Sequence, residues 1–269
     1  MDKEDVFSMN ESQDGLNATL KTIFGLRSIR NYSEKEIPKE DLNLIVKASV
    51  RAANASGRQS YSIIVVDDKQ LLKKYFYNAN KGLLFCVDFN RIIDTAKYLK
   101  HTYSSNNLRF FITGSTDTIL AAQTAAIAAK SLSIDSLFTN SIHREELNIV
   151  YQDFNLPEIL CFPLIALCLG YSSKEPKYLK GRLKGSGVVH YNKYHRLSNE
   201  ELDKLIQKYD DDEKHISLTW ENWKEMGFSH YLDWFYTRWS REIPKEKLQE
   251  FHLTLEKIGF IDPAYYYNK

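Results

Sequence analysis

Hydrophobic positions along the first 170 residues alternate between two periods. Apolar residues at helical spacing predict helices over 16–24, 38–53, 69–76, 92–100, 117–132 and 143–151. Short β-branched or continuous apolar runs predict strands over 63–66, 83–87, 134–141 and 162–169. Apolar strands separated by helices are typical of a layered domain with helices on both sides of a sheet. The periodicity alone is equally compatible with a doubly wound fold.

The most apolar helix is predicted over 117–132, where an alanine-rich run has no polar face. Ser115 or Thr116 could cap its first turn. Such a helix is usually central, packed against other elements or against another subunit. Residues 101–114, just before it, are too polar and irregular to predict as helix or strand, so we interpret them as a loop or lid.

The pattern changes from about residue 196, where apolar residues recur only at helical spacing. We therefore predict a first domain over residues 1–195 and a helical extension over 196–269 that packs on the core or on a partner subunit. The extension contains all four tryptophans, and an aromatic stripe of this kind is more often a packing surface than a cofactor site. The tryptophans are Trp220, Trp223, Trp234 and Trp239.

Charge and cysteine content limit the kinds of partner and ligand that the chain is expected to bind. The formal net charge of the 269 residues is +1, which provides no general attraction to nucleic acid or to an anionic membrane. The three cysteines, Cys86, Cys161 and Cys168, lie in apolar runs without metal-ligand spacing, so we expect reduced thiols, no disulfide and no metal. The acidic N-terminus does not resemble a secretory signal, and no apolar run approaches the roughly 20 residues of a membrane helix. We expect a cytoplasmic protein.

The candidate anion site is the segment 26–32, LRSIRNY, at the end of the first predicted helix. Arg27 and Arg30 offer rigid paired donors and Ser28 a hydroxyl, a set that suits a phosphate dianion. The partial negative charge of a helix C-terminus would oppose an anion there, so the arginines must outweigh it. The alternative reading is an arginine pair on a solvated helix face.

Together with three later segments, this stretch resembles the FMN-dependent nitroreductase family over roughly residues 20–194. Segment 52–61, AANASGRQSY, is similar to the family's loop before an Ile-Val-Val strand. The helix around Gln123 and the segment 134–141 are similar to its dimer-interface helix and to the segment beside the flavin ring. The sequences Lys180-Gly-Arg182 and Val-Val-His-Tyr at 188–191 match features near the end of its domain.

The resemblance implies a role for each matched residue. Arg27, Ser28 and Arg30 would hold the phosphate and pyrimidine side of FMN, with Lys180 and Arg182 as a second phosphate anchor. Ser56, Arg58 and Gln59 would lie against the ribityl chain or the ring. Thr139, Asn140 and Ser141 would lie along the flavin edge. The alternative reading for both groups is ordinary hydrogen bonding in loops and at strand ends. Leu26, Gly57 and Ser60-Tyr61 depart from the family's usual Arg, Asn and Pro-Trp.

The resemblance further implies an α+β fold, a three-layer α/β/α sandwich with a central mixed sheet, forming a homodimer with FMN at the interface. The implied activity is ping-pong hydride transfer from NADH or NADPH through flavin N5 to a nitroaromatic, a quinone or another electron-poor small molecule. Flavin would carry the chemistry, and no side chain is predicted to be catalytic.

Two other readings stay open on the sequence. The same fold could support different flavin chemistry, such as dehalogenation, desaturation or flavin fragmentation. Alternatively, the chain could be a flavin-binding module whose aromatic extension occludes the pocket and permits little turnover.

Overall fold

The protein is built around a four-stranded antiparallel sheet. The computed structural model describes residues 15–104, 107–174, 176–183, 185, 187–217, 222–239 and 242–262. The strands are β1 (Tyr61–Val66), β2 (Lys81–Asp88), β3 (Asp135–Thr139) and β4 (Cys161–Gly170), in the spatial order β1-β2-β4-β3. Tyr61 pairs with Val87, and Asp135 pairs with Gly170.

The helices follow the predicted pattern closely. Polar residues cap several of them: the Asp68 side chain accepts hydrogen bonds from two amides in the first turn of α3, and Ser198 forms a capping box with Glu201 in α7. In chain order they are α1 (Ala18–Phe24), α2 (Lys39–Ser49), α3 (Lys69–Tyr75), α4 (Asn90–Tyr98), α5 (Leu108–Ser131), α6 (Leu147–Asp153), α7 (Asn199–Asp210), α8 (Tyr231–Trp239) and α9 (Lys245–Lys257).

Side chains alternate between the two faces of the sheet and form a separate core on each. Leu84 and Cys86 of β2 face one core with α3 and α6, whereas Leu83 and Phe85 face the other, with α2 and the alanines of α5. This is a three-layer arrangement of helices, sheet and helices. The predicted α+β class is therefore confirmed, and the doubly wound alternative is wrong.

The pairing of the sheet differs from the mixed pattern that was expected. All three strand pairs among the described residues are antiparallel. Parallel pairing occurs in an isolated bridge between Ser28 and Ser136, where the chain after α1 runs beside β3. The direction of pairing depends on contacts between residues far apart in the chain, which local hydrophobic periodicity does not contain.

Helix α5 begins earlier than predicted, at Leu108 instead of Asp117. The residues at 108–114 were interpreted as loop because they mix polar and apolar types. The true N-cap is Asn107, whose side chain accepts a hydrogen bond from the Phe110 amide at 3.1 Å. Phe110 and Phe111 then pack against a third core beside Phe89 and Phe162, and this burial stabilises the first two turns.

The described chain forms two compact units. Among the described residues, one comprises those within 18–174 together with 244–262, and the other comprises 15–17 together with those within 176–243. Helix α9 therefore belongs to the unit that contains the sheet, where Phe260 is fully buried. This division differs from the domain boundary after residue 195 that the sequence analysis predicted, and that boundary stays a prediction.

The aromatic residues of the second unit pack with one another, as the tryptophan pattern indicated. Trp234 is 1% exposed and clusters with Trp223 and Tyr231. Trp220 lies outside the described residues.

The described residues include neither a candidate membrane span nor a cluster of metal ligands. None of the helices there is long and apolar enough to cross a membrane. The same residues contain no group of three or more His, Cys, Asp or Glu side chains that could hold a metal ion.

Candidate functional site

The predicted anion segment lies beside β3 as an extra edge of the sheet. After α1 ends at Phe24, the chain becomes extended, and the Ile29 amide donates to the Ser136 carbonyl at 3.0 Å. Ile29 is buried and anchors the segment, and Tyr32 forms an antiparallel bridge with Ser172. The arginines therefore project from an edge segment that lies beyond the helix end.

Arg27 belongs to a charged group at the start of β3. Its Nε lies 3.5 Å from Oδ1 of Asp135, and Nζ of Lys130 lies 3.2 Å from the same oxygen. The Asp135 side chain is 8% exposed, so the two cations and one carboxylate share a poorly solvated environment. The ion pair with Asp135 places the Arg27 guanidinium at the start of β3.

Arg30 differs from Arg27 in having no hydrogen-bond or ion-pair partner in the part of the chain that the structure describes. Its side chain is exposed, as is that of Ser28. Tyr32 nearby donates from its hydroxyl to the Ile29 carbonyl at 2.7 Å. Burial raises the pKa of Tyr32 well above its ordinary value, although the positive charge of Arg30 acts in the opposite direction. Arg30 and Ser28 thus keep their donors available for an anion.

The loop between α2 and β1 is tightly held. The Arg58 Nη1 donates to the Tyr103 hydroxyl at 3.2 Å, and its guanidinium lies 5.4 Å from the centre of the Phe110 ring. Arg91 Nη2 donates to the Arg58 and Gln59 carbonyls at 3.1 and 2.6 Å. Ser56 is exposed, with its side chain outside this network.

The segment after β3 uses most of its polar atoms internally. Thr139 Oγ1 accepts a hydrogen bond from the Ser141 amide at 3.1 Å, and the Ser141 hydroxyl donates to the Tyr75 carbonyl. Thr139 and Ser141 are buried, whereas Asn140 is exposed. Of the three predicted residues, Asn140 is the one whose side chain is placed to meet a ligand.

Lys180 and Arg182 lie in the second compact unit. Lys180 Nζ donates to the Ser217 carbonyl, and Arg182 Nη1 donates to the Lys180 and Gly181 carbonyls at 3.1 and 2.9 Å. Both cations bond only neutral carbonyl oxygens in these contacts, so neither has its charge neutralised by them.

The predicted residues of the first unit fall into two groups at opposite edges of the sheet. The segment with Arg27, Ser28 and Arg30 flanks the start of β3 at one edge, and Asn140 follows the end of the same strand. The loop with Arg58 and Gln59 precedes β1 at the other edge. Four strand spacings separate these edges, roughly 19 Å.

Known proteins resemble the chain over nearly its whole length. A sequence model of the Nitroreductase family matches residues 23–85, which span the anion segment, the loop, β1 and the first part of β2. An FMN reductase [NAD(P)H] of Bacillus subtilis is 29% identical over 265 residues, covering 91% of this chain and 98% of that protein. An oxygen-insensitive NADPH nitroreductase of Salmonella typhimurium is 28% identical over 213 residues, covering 76% of this chain and 84% of that protein.

The fold agrees with the sequence comparison. The structure of B. megaterium NfrA1 superposes with a TM-score of 0.76 at 26% identity, over 91% of this chain and 100% of that one. The chain is therefore similar to nitroreductase-family proteins in both sequence and fold.

Sequence reasoning missed two buried carboxylates that contact the predicted segments. Asp135 follows the buried Ile134 at the start of β3. A carboxylate within an apolar strand indicates a nearby positive partner, and this signal was present in the sequence. Asp117 is 2% exposed on α5 and accepts hydrogen bonds from the loop before β1. Its partners lie far away in the sequence, so spacing alone could not identify them.

Proposed function

We propose that this protein is an FMN-dependent NAD(P)H oxidoreductase of the nitroreductase type. The observation that carries the proposal is the edge segment beside β3, where Arg30 and Ser28 keep free donors next to the half-buried Arg27. The relatives support it, since one is named FMN reductase and another NADPH nitroreductase.

The residues present fit the polar end of FMN. Arg30 is a cation without a counter-charge in the described chain, and Arg27 lies in the same segment beside Asp135. A phosphate with up to two negative charges matches this set. We assign Arg27, Ser28 and Arg30 to the phosphate and pyrimidine side and Asn140 to the flavin edge, beside Thr139 and Ser141. The assignment of Lys180 and Arg182 to the phosphate rests on the resemblance and stays a prediction.

A bound flavin would accept hydride from a nicotinamide and pass electrons to an electron-poor small molecule. The chain's own residues would bind and orient it. The positive charge of Arg30 would favour binding of the more negative, reduced form. Arg27, whose direction is fixed by Asp135, would supply donors that need no rearrangement on binding.

We further propose a homodimer with FMN at the interface. The loop with Ser56, Arg58 and Gln59 lies roughly 19 Å from the Arg30 edge, or four strand spacings, so a second copy would supply that loop to each site. A set of exposed apolar side chains on α1, α2 and α5 offers the contact surface: Ile23, Phe24, Leu44, Ile119 and Leu120. We place the protein in the cytoplasm because its three buried cysteines are all free.

The absorbance spectrum of the purified protein tests the proposal. We expect bound flavin, bleached under anaerobic conditions by NADPH or NADH and restored by a nitroaromatic or a quinone. Dithionite is the control for reducible flavin. Protein that takes up no FMN on reconstitution, or bound flavin that dithionite bleaches and neither nicotinamide does, would contradict the proposal.

A further inference from the structure

The loop between α2 and β1 has an unusual backbone. Ser56, Gly57 and Gln59 have positive φ values of 56°, 68° and 50°. Serine and glutamine rarely adopt this left-handed conformation, which persists only when the surroundings fix it. The same short stretch contains the side chains assigned above to the flavin.

One buried carboxylate joins the two ends of this loop. Oδ1 of Asp117 accepts from the Ala55 amide at 2.8 Å, and its Oδ2 accepts from the Ser60 amide at 3.4 Å. Asn54, just before this loop, also contacts it: its Oδ1 accepts from the Gln59 amide at 3.1 Å. Asp117 therefore sets the distance between residues 55 and 60, within which all three positive-φ residues lie.

Packing alone does not account for an aspartate at this position. Asp117 is 2% exposed on a helix whose buried face is otherwise mostly alanine, including Ala121 and Ala125. None of the lysines or arginines in the described chain forms an ion pair with it. A buried carboxylate is costly unless hydrogen bonds compensate, and here the bonds that compensate are those to the loop amides.

We propose that Asp117 is a positioning residue for FMN, which holds residues 55–60 in the shape that presents Ser56, Arg58 and Gln59 to the cofactor. This inference rests on the proposed function. Asp117 acts through the loop and does not touch the cofactor. Because α5 also carries the exposed Ile119 and Leu120, the loop is tied directly to the helix of the proposed dimer interface.

The test compares FMN binding by the apo forms of the wild type and of Asp117→Asn, followed by the quenching of FMN fluorescence. Asparagine keeps one acceptor oxygen and turns an NH₂ donor toward an amide that is itself a donor. We expect the dissociation constant for FMN to rise about tenfold, the effect of losing one charged hydrogen bond.

The matched control is Asp68→Asn. Asp68 Oδ1 also accepts from two backbone amides, those of Gln70 and Leu71, at 2.9 Å each. It caps α3 and has no contact with the loop. We expect this variant to bind FMN as the wild type does, even where its thermal stability falls.

Two further readouts separate positioning from general stability. At saturating FMN, the kcat of Asp117→Asn should stay within about twofold of wild type, because its loop still adopts the bound shape once FMN is present. In wild-type apo-protein, hydrogen exchange at single-residue resolution should show slow exchange for the Ala55 and Ser60 amides before FMN is added. This measurement does not depend on whether the variant folds.

The outcomes distinguish the two proposals. Wild-type protein that binds no FMN overturns the proposed function and, with it, the role of Asp117 toward the cofactor. Wild-type protein that binds FMN while Asp117→Asn binds equally well overturns the positioning role alone. The positioning role is also overturned if the Ala55 and Ser60 amides become protected only after FMN is added.

Discussion

The two arginines of the edge segment have different environments and therefore different expected roles. Arg27 lies near Asp135, whose negative charge offsets part of the attraction that Arg27 would exert on an anion. Arg30 has no such carboxylate beside it in the described chain and keeps its donors. Arg27 is thus pre-oriented and Arg30 is the stronger electrostatic partner for an anion. The sequence predicted both residues as phosphate ligands, but their difference depends on Asp135, which local spacing could not connect with Arg27.

Substitution of these arginines tests the phosphate site. We expect Arg30→Ala to raise the dissociation constant for FMN about ten- to a hundredfold, since a hydrogen bond to a charged group contributes about 1.5–3 kcal/mol. Arg27→Ala should weaken binding less, because Asp135 already takes part of its charge. Equilibrium dialysis against FMN measures both.

Arg196→Ala is the control, because it removes the same charge from an exposed position outside the candidate site. Full flavin occupancy in the Arg27→Ala, Arg30→Ala double variant would rule out the site assignment.

Among the elements, α5 shows most clearly what local sequence does and does not contain. Its alanine-rich centre was predicted correctly from composition, because small apolar residues on every side require close neighbours. Its first two turns were missed, because Phe110 and Phe111 are stabilised by a core that includes residues from the far end of the chain. The strand positions were also predictable, because continuous apolar runs are a local signal. Their antiparallel order depends on pairing between residues far apart in the chain.

Gly114 lies where α5 packs tightly against the end of β2. A Cβ at this position would lie 2.6 Å from Val87 Cγ1 and 2.9 Å from Phe89 Cε2. Gly114→Ala gains about 1 kcal/mol of helix propensity, but overpacking typically costs about 1–3 kcal/mol. Because both contacts would be closer than 3.0 Å, we expect the upper part of that cost, a net loss of about 1–2 kcal/mol and a fall in melting temperature of about 2–8 °C in scanning calorimetry. Ser131→Ala, at an exposed position on the same helix, should leave it nearly unchanged, and a stabilised Gly114→Ala would contradict the close packing.

The stability of the unit that contains the sheet and α9 should depend on pH through His143. His143 Nε2 donates to the Pro163 carbonyl at 2.9 Å, and its ring lies 5.3 Å from that of Phe251 on α9. Burial lowers the pKa of His143 from its ordinary 6.5, with nearby Lys247 acting in the same direction, although the bond to Pro163 and the charge of Glu250 oppose them. The unfolded chain therefore binds more protons, so the free energy of unfolding should fall as the pH drops below about 6.5.

Glu250, which faces the same cluster, titrates in a lower range. Burial acts to raise the pKa of Glu250, but hydrogen bonds from Lys247 and the Leu147 amide outweigh it and leave the pKa below its ordinary 4.5. Glu250 therefore contributes little to the pH dependence of urea unfolding between pH 5 and 7.

His230, whose pKa is raised by its hydrogen bond to Asp210, acts in this pH range with the opposite sign, so the difference between wild type and a His143 variant isolates His143. His143→Gln should flatten the pH dependence there, whereas His101→Gln, at an exposed site, should not. An unchanged slope in His143→Gln would contradict this assignment.

At the scale of the whole molecule, the proposed homodimer can be tested at the exposed apolar surface of α1, α2 and α5. The exposed apolar residues of α1, α2 and α5 include Leu120 and Ile119, which are 41% and 52% exposed. Helices α1 and α2 both contact α5, so these residues lie on adjoining elements. An aspartate at their centre would be buried without a partner in a dimer, and its desolvation would oppose association.

We therefore expect Leu120→Asp to raise the dimer dissociation constant by at least about a hundredfold and to lower FMN retention in parallel. Sedimentation velocity over a range of protein concentrations, recorded at both protein and flavin wavelengths, measures both effects in one experiment. Tyr98→Asp is the matched control, since Tyr98 is an 87% exposed apolar residue on α4 and its change adds the same charge. If Leu120→Asp becomes monomeric and still retains its full complement of FMN, a single chain suffices for the site. In that case the loop with Ser56, Arg58 and Gln59 would not complete a site across the interface, because the monomer has no second copy to supply it.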